Sequence, residues 1–481
     1  MSRWAMRPET ALFVLLFGAY AYFFPAGGWN QNSRFDLTRA LVERHTVVID
    51  AYRDNTFDLA VRDGHAYCDK APGVSLMAVV PYAMVFAARG ARPPEGRALD
   101  DAAYLATVVA VAVPSALGGV MLFSLLGALG VSVTQRAFAA AAYGLGTLAF
   151  PYSTMLYGHQ VAASLLVAAF ALLAHERRGA RARPLLVGAL LGWSVVVEYP
   201  AAIGAVTLAT YAASLDRPWR RLAWIALGAS LPALVLAAYH RVAFGGPATL
   251  PYAFSNQQPR HSGAFMGIGA PSLHAIGHLL FTDYRGLFFA TPALLLALPG
   301  SWQLARDLAT RTEAIVCAVI FLVFVWMNGS LVDWQGGSTV GARYLVPAIP
   351  FVAACAAAVR PRSELTRLGR AAGAALAPVS CASMLVATSV DPQPSVRVMH
   401  PWREYLLPAF FQGHLGLNAQ GMDSALGPAG GAPRAWNLGL RMGLAGRWTL
   451  APLVVFVIVA CAWLAIATRR AAVAPAAPSS R

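Results

Sequence analysis

Apolar residues fall in long blocks along the chain, separated by short polar segments. The blocks lie near residues 9–25, 72–88, 103–129, 134–150, 157–174, 184–197, 201–215, 221–239, 286–300, 312–328, 344–359, 371–389 and 449–468. Runs such as "LATVVAVAVPSALGGVMLFSLLGALG" and "APLVVFVIVACAWLAIA" approach or exceed the roughly 20 residues that take a helix across a bilayer. The pattern predicts an all-α polytopic membrane protein with about 12–13 transmembrane helices. Residues 1–25 read as a retained first transmembrane helix, because "FFPAGGWNQN" is a poor cleavage site. Residues 449–468 read as the last helix, and the Ala/Pro-rich 469–481 as a disordered cytoplasmic tail.

Composition agrees. The chain is 58% hydrophobic and 12% charged, which a soluble protein of 481 residues could not bury. Its net charge of +15 would suit a nucleic-acid binder, but the placement of the arginines excludes that class. Arginine-rich connections ("HERRGARAR", "DRPWRR", "LARDLATRTE", "VRPRSELTRLGR"), the two termini and Arg136 hold 19 of the 37 basic residues and, with Glu9, 6 of the 22 acids. By the positive-inside rule these segments and both termini are cytoplasmic, in the inner or plasma membrane. Residues 26–71, 240–285 and 390–448 are then outer segments, with shorter outer loops at 151–157, 198–200 and 329–343. Length favours reading 103–129 as one tilted helix rather than as two short crossings. The parity then leaves 72–88 beginning and ending on one face, re-entrant or lying along the membrane. The core thus runs over 72–389. Five cysteines show no metal or disulfide spacing and read as packing residues.

Candidate chemistry gathers on the outer face. Seven acids lie between residues 30 and 70: Asp36, Glu43, Asp50, Asp54, Asp58, Asp63 and Asp69. "NSRFDLTRALVERH" carries Phe35, Thr38, Leu41 and Val42 on one side and Asp36, Arg39 and Glu43 at helical spacing on another. It predicts an amphipathic juxtamembrane helix, on which an Asp36/Arg39 pair could simply be solvated. "VVIDAYRDNTFDLAVRDGHAYCDKAPG" alternates like short strands and turns. Near its end it carries Lys70, the chain's single lysine against 36 arginines. An ammonium is a compact point charge on a flexible stem, where arginine presents a planar fork. A tight phosphate site beside a carboxylate and a Pro-Gly turn favours the smaller group, although one lysine could also survive by chance.

These residues carry a likeness. An acidic, Arg-containing segment after the first helix, followed about 35 residues on by Tyr-x-x-Lys-x-Pro-Gly, resembles the GT-C-fold glycosyltransferases that use polyprenyl-phosphate sugars. Protein O-mannosyltransferases and lipid A aminoarabinose transferases are the families it most suggests. Their Arg-Tyr corresponds to Arg34-Phe35, and their Tyr-x-x-Lys-Pro-Pro to Tyr67, Lys70 and Pro72. Their Asp-Glu pair would fall on Gln31-Asn32 or Asn32-Ser33, which are not acids. The nearest carboxylate is Asp36. The motif match covers residues 30–73 alone.

The resemblance implies an inverting enzyme that moves a sugar from a polyprenyl phosphate to an acceptor hydroxyl on the outer face. Residues 26–71 would be its catalytic loop. A carboxylate, Asp36 or Asp69, would take the acceptor's proton. Cations would stabilise the departing lipid phosphate. Candidate donor-binding residues are Arg34, Tyr67, Lys70, His159, Glu198, Arg285, Asp333, Trp334 and Arg343, with Asp283 and Asp333 placed to hold the two outer arginines. Arg285 and Arg343 read equally as snorkelling helix-end residues, and His159 as a packing residue. A divalent metal is an open cofactor: Asp36, Asp69 or His159 could ligate one, and no spacing enforces it. A lipid-linked glycan ligase or polymerase would share this chemistry. A transporter or flippase would show paired repeats and mid-membrane charges, and neither is evident.

Overall fold

The structure, a computed structural model, describes residues 7–257, 261–262, 267–359, 364–427 and 431–473, and of 364–370 the backbone alone. The tail beyond 473 and residues 360–363 of the arginine-rich connection lie outside the described residues. The described residues are mostly helical, and their paired strands form two short two-stranded ribbons. Among the described residues, six helices are long and apolar enough to cross a membrane: Gly96–Ala128, His159–Arg177, Pro218–Phe244, Arg311–Gly329, Ala371–Val390 and Gly446–Val473. Five shorter apolar helices, including Pro8–Tyr20 and Gly73–Ala88, join them. The long helices alone thus fall short of 12 or 13. Several apolar blocks are broken: 286–300 splits at Thr291–Pro292 into separate turns and helices, because Pro292 supplies no amide donor to carry the preceding helix on.

Block 103–129 is one helix, as expected. It extends Gly96–Ala128 over 33 residues, with a π-turn at Val108–Ala112. At 1.5 Å per residue it is about 50 Å long, more than a bilayer core, so it must tilt to span. The bundle closes through aromatic contacts such as Phe170 with Phe351 and Tyr211, each pair at 5.6 Å.

The segments assigned to one face meet at one end of the bundle. Strand β1 (Phe23–Phe24) pairs with a strand at Trp436–Asn437. Asn32 donates to the carbonyls of Gly421 and Ser424, Asn256 N–H to Leu59 O, and Thr339 N–H to Pro394 O. Asp100 and Asp101 pair there with Arg434 and Arg441. At the other end, Arg178 and Tyr211 bind the buried Glu313, and Arg221 pairs with Glu176. Two charge sets drawn apart by the arginine distribution are separated in space.

Helix α1 (Pro8–Tyr20) leads into α2 (Trp29–Glu43). The expected amphipathic helix exists, but its polar side is not solvated. Residues Asn30 to Ala40 are all buried, covered in part by residues around Gly421 and Ser424 and by the chain that follows. Arg39 pairs with Glu43 at 3.0 Å rather than with Asp36, and Glu43 also accepts from the hydroxyls of Tyr52 and Tyr82. Helix α3 (Gly73–Ala88) runs beside α2 in the same direction. Arg34 reaches Ala71 O, Thr38 reaches Ser75 O, and Glu43 meets Tyr82. Whatever orientation α2 takes, α3 shares.

Candidate active site

Of the alternating segment, one part forms strands: β2 (Leu59–Arg62) and β3 (His65–Cys68). Asp63 and Gly64 turn the hairpin at φ 52° and 84°, the two-residue turn whose twist matches paired strands. Counting outward, Leu59 pairs with Cys68, so Asp58 and Asp69 face each other at its open end. Lys70 bridges them: Nζ lies 2.9 Å from Asp58 Oδ2 and 3.0 Å from Asp69 Oδ1. The lone lysine is therefore a gripped cation. Asp58 is reached from the sequence by counting the register outward from the Asp63-Gly64 turn. Tyr67, on β3, packs edge-on to Phe244 at 5.7 Å, in the hairpin's own core.

Beyond Lys70 the chain turns at Pro72–Gly73 into α3. A Cβ on Gly73 would stand 2.7 Å from Val196 O and from Val197 N and Cα. The absent side chain lets this turn lie against the end of helix Pro184–Val197, where Glu198 emerges. Gly158 approaches from the other side, and a Cβ there would be 2.6 Å from Glu198 Oε2. These close approaches bring together residues far apart in sequence.

Glu198 is the hub. Arg34, one of the largest fully buried side chains, donates from Nη2 to Glu198 Oε2 at 3.1 Å, from Nη1 to Ala71 O, and from Nε to Asn30 Oδ1. His159, the first residue of its helix, faces the same oxygen with Nδ1 at 3.4 Å. Its Nε2 is buried without a hydrogen-bond partner. The rings of Tyr152, Tyr157 and Tyr344 surround the imidazole at 5.7–5.8 Å. Arg34, Lys70 and Arg343 all lie within electrostatic reach of it, and Tyr157 feels the same three cations and Asp58.

Arg343 completes the group. Its guanidinium stacks on Tyr344 at 4.8 Å and stands 5.8 Å from the Tyr157 ring. Nη2 donates to Tyr344 Oη at 2.9 Å, while Nε is buried without a partner. Among the described residues it has no carboxylate within ion-pairing distance. The cluster thus holds two neutralised cations, Lys70 and Arg34, and one that is not.

The other predicted residues are placed apart. Asp36 lies two positions beyond Arg34, about 200° around the helix. It is fully buried, accepts from Asn55 Nδ2 at 3.0 Å, and leaves Oδ2 unpartnered. Burial holds its carboxyl well above the usual range, against the pull of Asn55 and Arg39. It points away from the cluster. Arg285 is fully buried and donates to the carbonyls of Gln335, Tyr284 and Gly337. It pins the 329–343 segment that carries Arg343. Asp283 does not hold it, pairing instead with His400 at 2.8 Å. Asp333 lies within electrostatic range of Arg285. Trp334 stands among His274, His278 and Tyr284, outside the Glu198 group. Asp36, Asp69 and His159 do not converge, and no set of three His, Cys, Asp or Glu among the described residues suits a metal ion.

No family model matches the chain, and no curated protein does. Among solved structures, the chain resembles ArnT of Cupriavidus metallidurans bound to undecaprenyl phosphate, at 17% identity over 95% of this chain and 75% of that one, with a TM-score of 0.51. It also resembles the apo oligosaccharyltransferase of Archaeoglobus fulgidus, at 11% identity over 88% of this chain and 61% of that one, with a TM-score of 0.51. Both have the GT-C glycosyltransferase fold, and the likeness is one of architecture: this chain has that fold.

Proposed function

We propose that the protein is a membrane glycosyltransferase that moves a sugar from a polyprenyl phosphate to an acceptor hydroxyl on the outer face. The observation that carries this is Arg343. A buried guanidinium donor with no partner is costly, and its natural complement is a phosphate oxygen. It sits beside a network of fixed charges built from the end of the first large loop, the Tyr157–His159 turn and Glu198. The ArnT of similar fold was solved with undecaprenyl phosphate, a ligand of the class proposed here.

In this reading the donor phosphate approaches Arg343, with Lys70 as the second cation. Lys70 is shared with Asp58 and Asp69, so its contact with phosphate competes with theirs. Charge builds on the phosphate as the bond to the anomeric carbon breaks, and cations fixed beforehand stabilise it. Arg34 serves a different purpose: it neutralises Glu198 and fixes the loop to α3. Attack by an acceptor hydroxyl from the opposite side gives inversion. Purified protein incubated with a panel of polyprenyl-phosphate sugars and hydroxyl acceptors should release polyprenyl phosphate with one of them. A chain that moves such lipids between leaflets intact, and releases none, is a flippase and not this enzyme.

A further inference from the structure

The network around Glu198 contains a pair that the motif resemblance does not supply. The positions matching the family's Asp-Glu are Gln31, Asn32 and Ser33, and Asp36 faces elsewhere. Asp69 is fully buried and tied to Lys70. That leaves the acceptor's proton without an evident destination among the expected carboxylates. His159 offers one. Its Nδ1 faces Glu198 Oε2 at 3.4 Å, which favours the tautomer with the proton on Nδ1 and a lone pair on Nε2. Nε2 is the atom left buried without a partner, an arrangement that in native structures calls for an explanation such as a ligand or a catalytic role. Glu198 is itself fixed by Arg34, so carboxylate, imidazole and orphan nitrogen form an ordered series. The same division of labour, one group oriented by a carboxylate and acting through its far nitrogen, underlies histidine bases in hydrolases.

We infer that His159 Nε2 is the general base of the transfer, with Glu198 as its positioning residue. This rests on the glycosyltransferase reading above. As the acceptor oxygen bonds to the anomeric carbon, its proton passes to Nε2. The carbon–oxygen bond to the lipid phosphate breaks, and both electrons leave with the phosphate, which Arg343 and Lys70 meet. The imidazolium then returns its proton to water. In this reading the acceptor reaches the imidazole past Arg343 and Tyr344, which are only partly buried. The charged and titratable groups facing the ring are Glu198, Arg34, Arg343, Lys70, Tyr152, Tyr157 and Tyr344. Asp58 and Asp69 act on it through Lys70.

The test compares wild type with His159→Gln in one assay of polyprenyl phosphate release, beside binding of the lipid phosphate alone. If the wild type releases none with any donor, the transferase reading fails and the base with it. If the wild type turns over, His159→Gln should lower kcat by about 10²- to 10⁴-fold. Donor KM and lipid phosphate binding should stay within a few-fold, and the acidic limb of the wild-type kcat/KM profile should vanish. A kcat within threefold of wild type, on the order of experimental scatter, overturns the assignment. So does a loss confined to donor KM, which would make the imidazole a phosphate ligand. Should His159→Gln fail to fold, His159→Ala with added imidazole decides: restored turnover supports the base, and none overturns it.

Discussion

Arg343 and Lys70 are both cations at the proposed phosphate site, and the structure predicts different fates for their variants. Arg343→Gln removes a guanidinium that pairs with no carboxylate among the described residues, so no buried ion is stranded. It deletes a charge-assisted contact to the donor, worth about 1.5–3 kcal/mol. That corresponds to roughly a 10- to 100-fold loss of affinity for polyprenyl phosphate. Thermal stability should change little without the lipid. Lys70→Ala instead removes the cation that Asp58 and the fully buried Asp69 share. Breaking such a pair typically costs about 3–5 kcal/mol, and local unfolding of the hairpin end should accompany any loss of binding. The assay is a lipid titration followed by intrinsic fluorescence, with thermal unfolding of each variant in the same detergent. Equal affinity in Arg343→Gln and wild type would refute the phosphate role of Arg343. A Lys70→Ala protein as stable as wild type would refute the idea that Lys70 holds the two carboxylates together.

Three further predictions follow from the geometry. Gly73→Ala places a Cβ against the backbone of Val196 and Val197, which cannot shift cheaply; a destabilisation of about 1–3 kcal/mol should appear as a lower unfolding temperature together with reduced turnover, and unchanged values would show that the turn does not pack there. Asp36→Asn should leave turnover within a few-fold of wild type. Because burial raises the folded-state Asp36 carboxyl above its unfolded value near 3.8, the wild type should lose stability relative to this variant as pH rises from about 4 through the shifted value; a pH-independent difference in unfolding temperature would contradict this. With the native cysteines replaced, His65→Cys at the exposed hairpin should label with an impermeant reagent on intact cells and Ala180→Cys should not, and the reverse would invert the topology.

How far the sequence led differs from element to element. The apolar blocks and arginine clusters located the helices and the two ends of the bundle, because hydropathy and charge act over whole segments. Lys70, Pro72 and Gly73 were legible as a local motif. The partner of Arg34 was not, since Glu198 lies 164 residues away and the contact depends on two glycine approaches. Asp36 was favoured for its place after the first helix, yet helical periodicity alone turns it away from Arg34. Asp58 is legible only through the hairpin register, counted back from the Asp63-Gly64 turn. Arg285 read as an outer-face phosphate cation or a snorkelling helix-end residue, whereas three backbone carbonyls hold it inside. Isolated helix length is a poor guide to crossings here, since many segments are short or broken and depend on their neighbours.

The central claim is a transfer from lipid phosphate to acceptor, and its stoichiometry tests it most directly. A donor carrying distinguishable labels on sugar and lipid would be incubated with the purified protein and a hydroxyl acceptor that supports turnover. The account predicts one polyprenyl phosphate released for each sugar transferred, with the anomeric configuration of the product opposite to that of the donor. Sugar and lipid labels that remain together on an intact donor, or release of lipid without any glycosylated acceptor, would contradict it.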